Sequence, residues 1–261
     1  LNGIPARLSD EIRTAEAQFR ALSVETAEAQ KREQCSIMSG TQVPETFDRV
    51  YCAPSTEGKR SYLVLGDSWA SNSYLILTHA YPEIEFGLLS VPACRLRVPI
   101  QLVGSRSKEC IDHYNFAFED MLGSGDYEGV VISSNWQSNY SDVFELEEYL
   151  KAKSLRVVVI TNYMIFNQHI PSQIFGAVRF DSIINQIEQL AQPKALELKN
   201  AFLSNNFKNS DYISMVDIQC LDHCVLVDEN LNLLYLDTNH ISIAGGAVFG
   251  DRMRNTYPML F

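Results

Sequence analysis

Four short apolar runs constrain this chain more than any other feature: SYLVLGD (61–67), EFGLLSV (85–91), GVVISSN (129–135) and RVVVITN (156–162). Each is rich in Leu or β-branched residues, is long enough for one strand, and reads as a buried strand. Longer segments between them predict helices over 69–80, 112–122 and 139–153, a further helix over 184–204, and a last strand in DYISMVDI (211–218). Strand, crossover helix and parallel strand in repeated alternation make a doubly wound α/β layer. In such a layer ligands sit beyond the carboxyl ends of the strands, so the informative residues lie just after each apolar run.

Before this rhythm begins, residues 8–34 contain no Gly or Pro and are rich in Ala, Glu, Gln and Arg, which predicts one long, mostly solvated helix capped by Ser9-Asp10. Residues 36–60 read as a loop-rich join. The division expected is a linker and helical extension over 1–60, packing on the body, and an α/β domain over 61–261. With 261 residues and 46% hydrophobic content, the chain can bury the core of one α/β domain.

The balance of 21 Lys and Arg against 32 Asp and Glu gives a formal charge of −11, which repels a phosphate backbone and excludes nucleic acid as an expected partner. No stretch approaches the ~18–20 apolar residues of a membrane helix, and the N-terminus lacks the order of a signal peptide. A first residue of Leu suggests a processed chain or one cut from something longer.

Six cysteines, at 35, 52, 94, 110, 220 and 224, form an even set without CxxC pairs, so no zinc site is expected. Three disulfides in an oxidising compartment are the preferred reading, and six buried thiols in a reducing one the alternative. Cys220 and Cys224, four apart, read as a small disulfide loop. His79, His113, His169 and His223 have no carboxylate at a suggestive spacing and read as surface or structural residues.

Three strand-end segments carry chemistry. LVLGDSWASN (63–72) ends a strand at Gly66-Asp67 and opens a helix at Ser68, where outward-pointing backbone N–H groups stabilise negative charge. Taken alone, the segment reads either as a helix cap or as a seat for a nucleophile. LLYLDTNHISIAGG (233–246) sets Asp237 three positions before His240, which supplies a base for a serine hydroxyl and a carboxylate to fix the imidazole tautomer. VVISSNW (130–136) ends a strand with Asn135, whose amide can donate to an oxyanion, followed by Trp136.

In this order, G-D-S early, Asn in the middle and D-x-x-H near the C-terminus, the chain resembles the SGNH hydrolase superfamily. The resemblance implies a three-layer α/β/α sandwich with a central parallel sheet of flavodoxin-like form. It implies Ser68 as nucleophile, His240 as general base and then acid, Asp237 as its orienter, and Ser68 N–H with Asn135 in the oxyanion hole. The second-block glycine is missing, because the corresponding strand end reads LLSVPACRL (88–96). Either a backbone N–H within Pro92-Ala93-Cys94, Pro92 itself excepted, stands in for it or the hole has fewer donors.

The chain resembles one branch more closely: the SGNH domain fused to the C-terminus of acyltransferase-3 membrane proteins, which O-acetylate cell-surface carbohydrates. YLVLGDSWA, SVPAC with Cys110 downstream, VVISSNWQSNY, and CLDHCVLVDENLNLLYLDTNHISIAGG carry this likeness, and NGIPARLSDEI (2–12) is similar to that family's linker. Trp69 stands where the branch usually has His. The disulfides favoured among fifteen possible pairings are Cys220–Cys224, Cys94–Cys110 and Cys35–Cys52. Trp69, Trp136, Tyr140 and Tyr163 are candidates to stack on a sugar ring, with core packing the alternative reading for most of them and Trp136 the one favoured for the sugar.

The resemblance implies an extracytoplasmic domain, on the periplasmic or outer side of the membrane, fused to an N-terminal transmembrane acyltransferase domain. Its partner would be a carbohydrate acceptor, whether lipopolysaccharide O-antigen, peptidoglycan or an exported oligosaccharide. No cofactor is expected in this domain, since a donor such as acetyl-CoA would be used by the membrane domain. The alternatives are a secreted SGNH carbohydrate esterase with the same triad and a carbohydrate-binding module that has lost activity.

Overall fold

The computed structural model of the chain describes residues 10–30, 35–36, 48–53, 60–94, 96, 107–124, 127–136, 141–177, 179–204, 211–220 and 223–261. Tyr140, most of the 36–60 join and the N-terminal part of the linker motif lie outside them. Five strands, β1 (Ser61–Gly66), β2 (Glu85–Ser90), β3 (Gly129–Ser133), β4 (Arg156–Ile160) and β5 (Asp211–Ile213), form one parallel sheet in the order β2-β1-β3-β4-β5. Strands β1 and β3 are buried throughout, and β2 and β4 at every position but the first, which explains why their sequences are continuous apolar runs rather than alternating ones.

Among the described residues the α-helices are α1 (Asp10–Ala29), α2 (Arg49–Cys52), α3 (Ser68–Ala80), α4 (Ser107–Asn115), α5 (Ser141–Lys151), α6 (Ile170–Gly176), α7 (Phe180–Ser204), α8 (Met215–Gln219) and α9 (Ile243–Thr256). They flank the sheet in the three-layer α/β/α arrangement expected. The chain steps from β1 outward to β2, then returns past β1 to β3, so the strand order reverses between β1 and β3. Right-handed crossovers therefore send helices to opposite faces and open a crevice at that point. Ser68 follows β1 and Asn135 follows β3, on the two sides of this crevice.

The first four strands lie where the sequence predicts them, ending one or two residues sooner. The fifth differs: only residues 211–213 are strand, and α8 follows at once. Ser214 caps α8 by accepting from Asp217 N, while the Thr161 hydroxyl donates to Ile213 O (3.0 Å) and accepts from Met215 N (3.3 Å), which ends the ladder. Met215, Val216 and Ile218 are all buried, and over so short a window their spacing fits a strand as well as a helix. Helix α6 is absent from the sequence reading because its seven residues are too few to show a period. Its start is set by His169, which accepts from Ser172 N, and by Pro171.

Helix α1 is not a solvated arm along its whole surface. Ile12, Ala15, Leu22 and Thr26 are buried along one side, and the helix packs on α9 and α6. Thr26 Oγ1 accepts from Ile243 N (2.8 Å) at the start of α9, and Gln30 Nε2 donates to Asn72 Oδ1 (3.4 Å). All six cysteines are paired, as Cys35–Cys52, Cys94–Cys110 and Cys220–Cys224. Next to the first disulfide, Ser36 bridges in parallel to Ser90, the last residue of edge strand β2.

Two close approaches bring the site together. A Cβ on Gly66 would stand 1.7 Å from the carbonyl oxygen of Ser133, so only glycine lets the ends of β1 and β3 meet there. In α9, a Cβ on Gly246 would stand 2.9 Å from Leu75 Cβ, and one on Gly250 3.0 Å from Ile76 O. These glycines, one turn apart, let α9 lie directly on α3.

Candidate active site

The strand-to-helix turn after β1 divides two roles between neighbours. Asp67 is the N-cap of α3 and accepts from Trp69 N (2.9 Å). Its other oxygen accepts from Ser134 Oγ and Asn135 N, both at 2.8 Å, so the carboxylate also ties the end of β3 to the turn. Burial pushes the Asp67 carboxyl above its usual value, against the opposing pull of these donors and of His240. Ser68, the first helical residue, is left to face the cleft. Its backbone N–H has no hydrogen-bond partner among the described residues.

His240 arrives from the other end of the chain. Leu236 N donates to His240 O (2.7 Å) and Tyr235 bridges to Ile241, closing a tight loop over 236–240. Ser242 then caps α9 through Gly245 N (3.1 Å) and donates to Leu233 O (2.6 Å). The loop is buttressed from outside by Phe166 N, which donates to Thr238 O (2.8 Å).

Within this loop His240 Nδ1 lies 2.6 Å from Asp237 Oδ2, and His240 Nε2 lies 2.9 Å from Ser68 Oγ. A carboxylate only accepts, so Nδ1 carries the proton and Nε2 is free to accept from the serine hydroxyl. Asp237 Oδ1 also accepts from the backbone N–H groups of Asn239 and His240, each at 2.8 Å. Burial opposes ionisation of Asp237, but the His240 ring and these two N–H groups outweigh it and hold the carboxyl well below its usual range. The three side chains can therefore move a proton from Ser68 to an imidazole whose cation is stabilised in place.

The line of three opens onto a cleft of about 380 Å³, walled by Ser36, Ser71, Ser90, Pro92 and Leu236. Three serine hydroxyls lie along this wall beside the apolar surfaces of Pro92 and Leu236. Beyond Pro92, Ala93 has a left-handed backbone (φ 64°), and Cys94 N donates back to Val91 O (3.1 Å). Val91 N donates to Gly66 O (2.8 Å), so Ala93 keeps the one N–H of this turn with no partner among the described residues.

Two predicted site residues are placed elsewhere. Trp69 and Trp136, expected to stack on sugar, are 1% and 0% exposed and have no accessible ring face. Trp136 donates from its indole to Ile160 O and from its backbone to Asn162 Oδ1, both at 3.0 Å, so it joins β3 to β4. Trp69 packs on Tyr163, itself fully buried, with ring centroids 5.3 Å apart. Asn135 stands at the crevice, fixed by its backbone bond to Asp67. His79 pairs with Asp251 (3.0 Å) on the surface, His113 is buried, His169 caps α6 and His223 is exposed. No group of three metal-ligating side chains occurs among the described residues.

One residue that the sequence reading passes over is Asn72. It is buried one turn after Ser68, donates to Asn239 O (3.2 Å) and accepts from Ile241 N (3.3 Å), clamping the backbone on both sides of His240. The i, i+4 spacing from Ser68 is the signal that marks it, since residues so spaced share a helix face.

No curated protein matches the chain. Among solved structures it is similar to the periplasmic domain of a lipopolysaccharide acetyltransferase from Salmonella ser. Paratyphi A, with a TM-score of 0.68 and 14% identity over 95% of this chain and 99% of that one. At that identity the likeness speaks to the fold. The family described as SGNH domain, fused to AT3 domains, matches residues 25–255, which take in β1 with Ser68, β3 with Asn135 and the Asp237-to-His240 loop. The chain belongs to this family of SGNH domains fused to AT3 domains.

Proposed function

We propose that this chain is an O-acetyltransferase domain that passes an acetyl group to a hydroxyl of a cell-surface carbohydrate. It would act on the extracytoplasmic side of a membrane, joined to a transmembrane acyltransferase domain that supplies the acetyl group. The observation that carries the reading is the unbroken hydrogen-bonded line Ser68–His240–Asp237 opening onto a cleft, in a chain of this family. The solved relative's description as a lipopolysaccharide acetyltransferase supports the substrate class.

In the first step Ser68 Oγ bonds to the acetyl carbonyl carbon while its proton passes to His240 Nε2, and that proton then goes to the departing group. In the second, a carbohydrate hydroxyl gives its proton to His240 and takes the acetyl group from Ser68, whose oxygen recovers a proton from the imidazolium. The oxyanion of each tetrahedral intermediate is assigned to the Ser68 N–H, the Ala93 N–H and the Asn135 amide. Ala93 thereby takes the place of the second-block glycine. His240 is partly exposed, so water competes as second acceptor and slow ester hydrolysis is expected.

The test is acetate release from a chromogenic acetyl ester, alone and with a panel of surface glycans as acceptors. Wild-type protein should hydrolyse the ester slowly and acetylate at least one glycan, and Ser68→Ala should do neither. Equal activity in the variant would remove Ser68 from the mechanism.

A further inference from the structure

An indole N–H can only donate, and one buried as deeply as that of Trp69 needs an acceptor. The group opposite it is the side-chain amide of Asn239. With the amide oxygen turned to the indole, the two atoms are 2.7 Å apart, and the amide nitrogen lies 3.3 Å from Asp237 Oδ1 and 3.2 Å from Thr238 Oγ1. The reverse orientation would set two donors face to face, so the indole decides which way the amide points.

The two residues occupy matched positions: Trp69 directly follows Ser68, and Asn239 directly precedes His240. Trp69 is itself held in place. Its ring rests on Tyr163, whose hydroxyl is 2.7 Å from Ser73 Oγ; Ser73 donates to Ser133 Oγ (2.7 Å), and Ser133 donates to Trp69 O (3.4 Å). A buried polar cluster that runs from Ser133 at the end of β3 to Tyr163, just beyond β4, thus fixes the indole, and the indole fixes an amide that touches the carboxylate.

We propose that Trp69 is a positioning residue, whose indole N–H orients the Asn239 amide so that this amide holds the Asp237 carboxylate in line with His240. The proposal rests on the Ser68–His240–Asp237 reading. It explains how Trp69 contributes to the site without reaching the cleft.

Trp69→Phe keeps a ring against Tyr163 and removes the N–H, and Asn239→Leu keeps the volume and removes the amide. In the acetyl-ester assay each should lower kcat about tenfold with KM changed by less than about twofold, the size expected from one hydrogen bond to a charged group. Because the two act in series, the double variant should also lose about tenfold, not about a hundredfold. The downfield proton resonance of His240 Nδ1–H should move in both single variants.

Full kcat in Trp69→Phe, or multiplying losses in the double variant, would overturn the proposal. If Trp69→Phe does not fold, an unmoved His240 resonance in Asn239→Leu overturns it equally. Ser68→Ala, run alongside, separates the two claims. An active Ser68→Ala defeats the triad reading, whereas an inactive one beside a fully active Trp69→Phe defeats only the role of Trp69.

Discussion

Asp67 and Asp237 are both partly removed from water near the same serine, yet their environments push them in opposite directions. Asp67 is the anchor of the turn, with three donors shared between its two oxygens. An amide cannot accept at its nitrogen, so Asp67→Asn leaves Trp69 N–H or Asn135 N–H facing a donor. Urea unfolding should show a loss of about 1–3 kcal/mol.

For Asp237 the lowered native value means that its stabilising contribution is complete above the unfolded carboxylate value of ~3.9 and is lost as pH falls through the lower native one. The stability gap between wild type and Asp237→Asn should therefore narrow from about pH 4 down to about pH 2. A constant gap in thermal unfolding across that range would contradict the assignment. At this scale the sequence made Ser68, Asp237 and His240 legible because their chemistry demands those residue types. It did not place Trp69 and Trp136, since an aromatic ring suits a sugar and a core alike, and only the packed fold decides which it meets.

Between elements, the contact that matters most is α9 on α3, because α3 opens with Ser68 and α9 is entered directly from the loop that carries His240. Gly246→Val would drive a branched side chain into Leu75, with an expected loss of about 1–3 kcal/mol and a matching fall in esterase activity as the two helices separate. Wild-type activity at unchanged stability would show that the approach is not needed. The Cys35–Cys52 disulfide has a second consequence, since it neighbours Ser36 in the cleft wall. Replacing both cysteines with Ser should lower stability by about 3 kcal/mol, as expected for a loop of this length, and raise KM for glycan acceptors.

The four main strands were readable because burial on both faces leaves an apolar run with no competing period. The early end of β5 and the start of α8 were not, because Met215, Val216 and Ile218 satisfy both periods and the choice is made by Thr161, 52 residues from Ile213 and 54 from Met215 in sequence. Helix α1 shows a different blind spot: Thr26 and Gln30 look like solvated helix residues, and only the docked helix shows them bonded to the start of α9 and to Asn72.

Across the whole molecule, the reversal of strand order between β1 and β3 gathers residues from distant parts of the chain into one crevice. Ser68 and His240 are 172 positions apart and in hydrogen-bond contact. That closure was inferable from the order of three motifs and their place after strands, whereas the cleft wall was not, since Ser36, Ser71 and Ser90 carry no pattern of their own. Among the described residues no helix is long and apolar enough to cross a membrane, and the formal charge is −11. The central claim is that acetyl passes through Ser68. Acid quenching of the protein during turnover of an acetyl ester, followed by peptide mass spectrometry, should find one acetyl group on the peptide containing Ser68 and none in Ser68→Ala. Continued turnover with the acetyl group on another residue, or with Ser68→Ala as active as wild type, would contradict it.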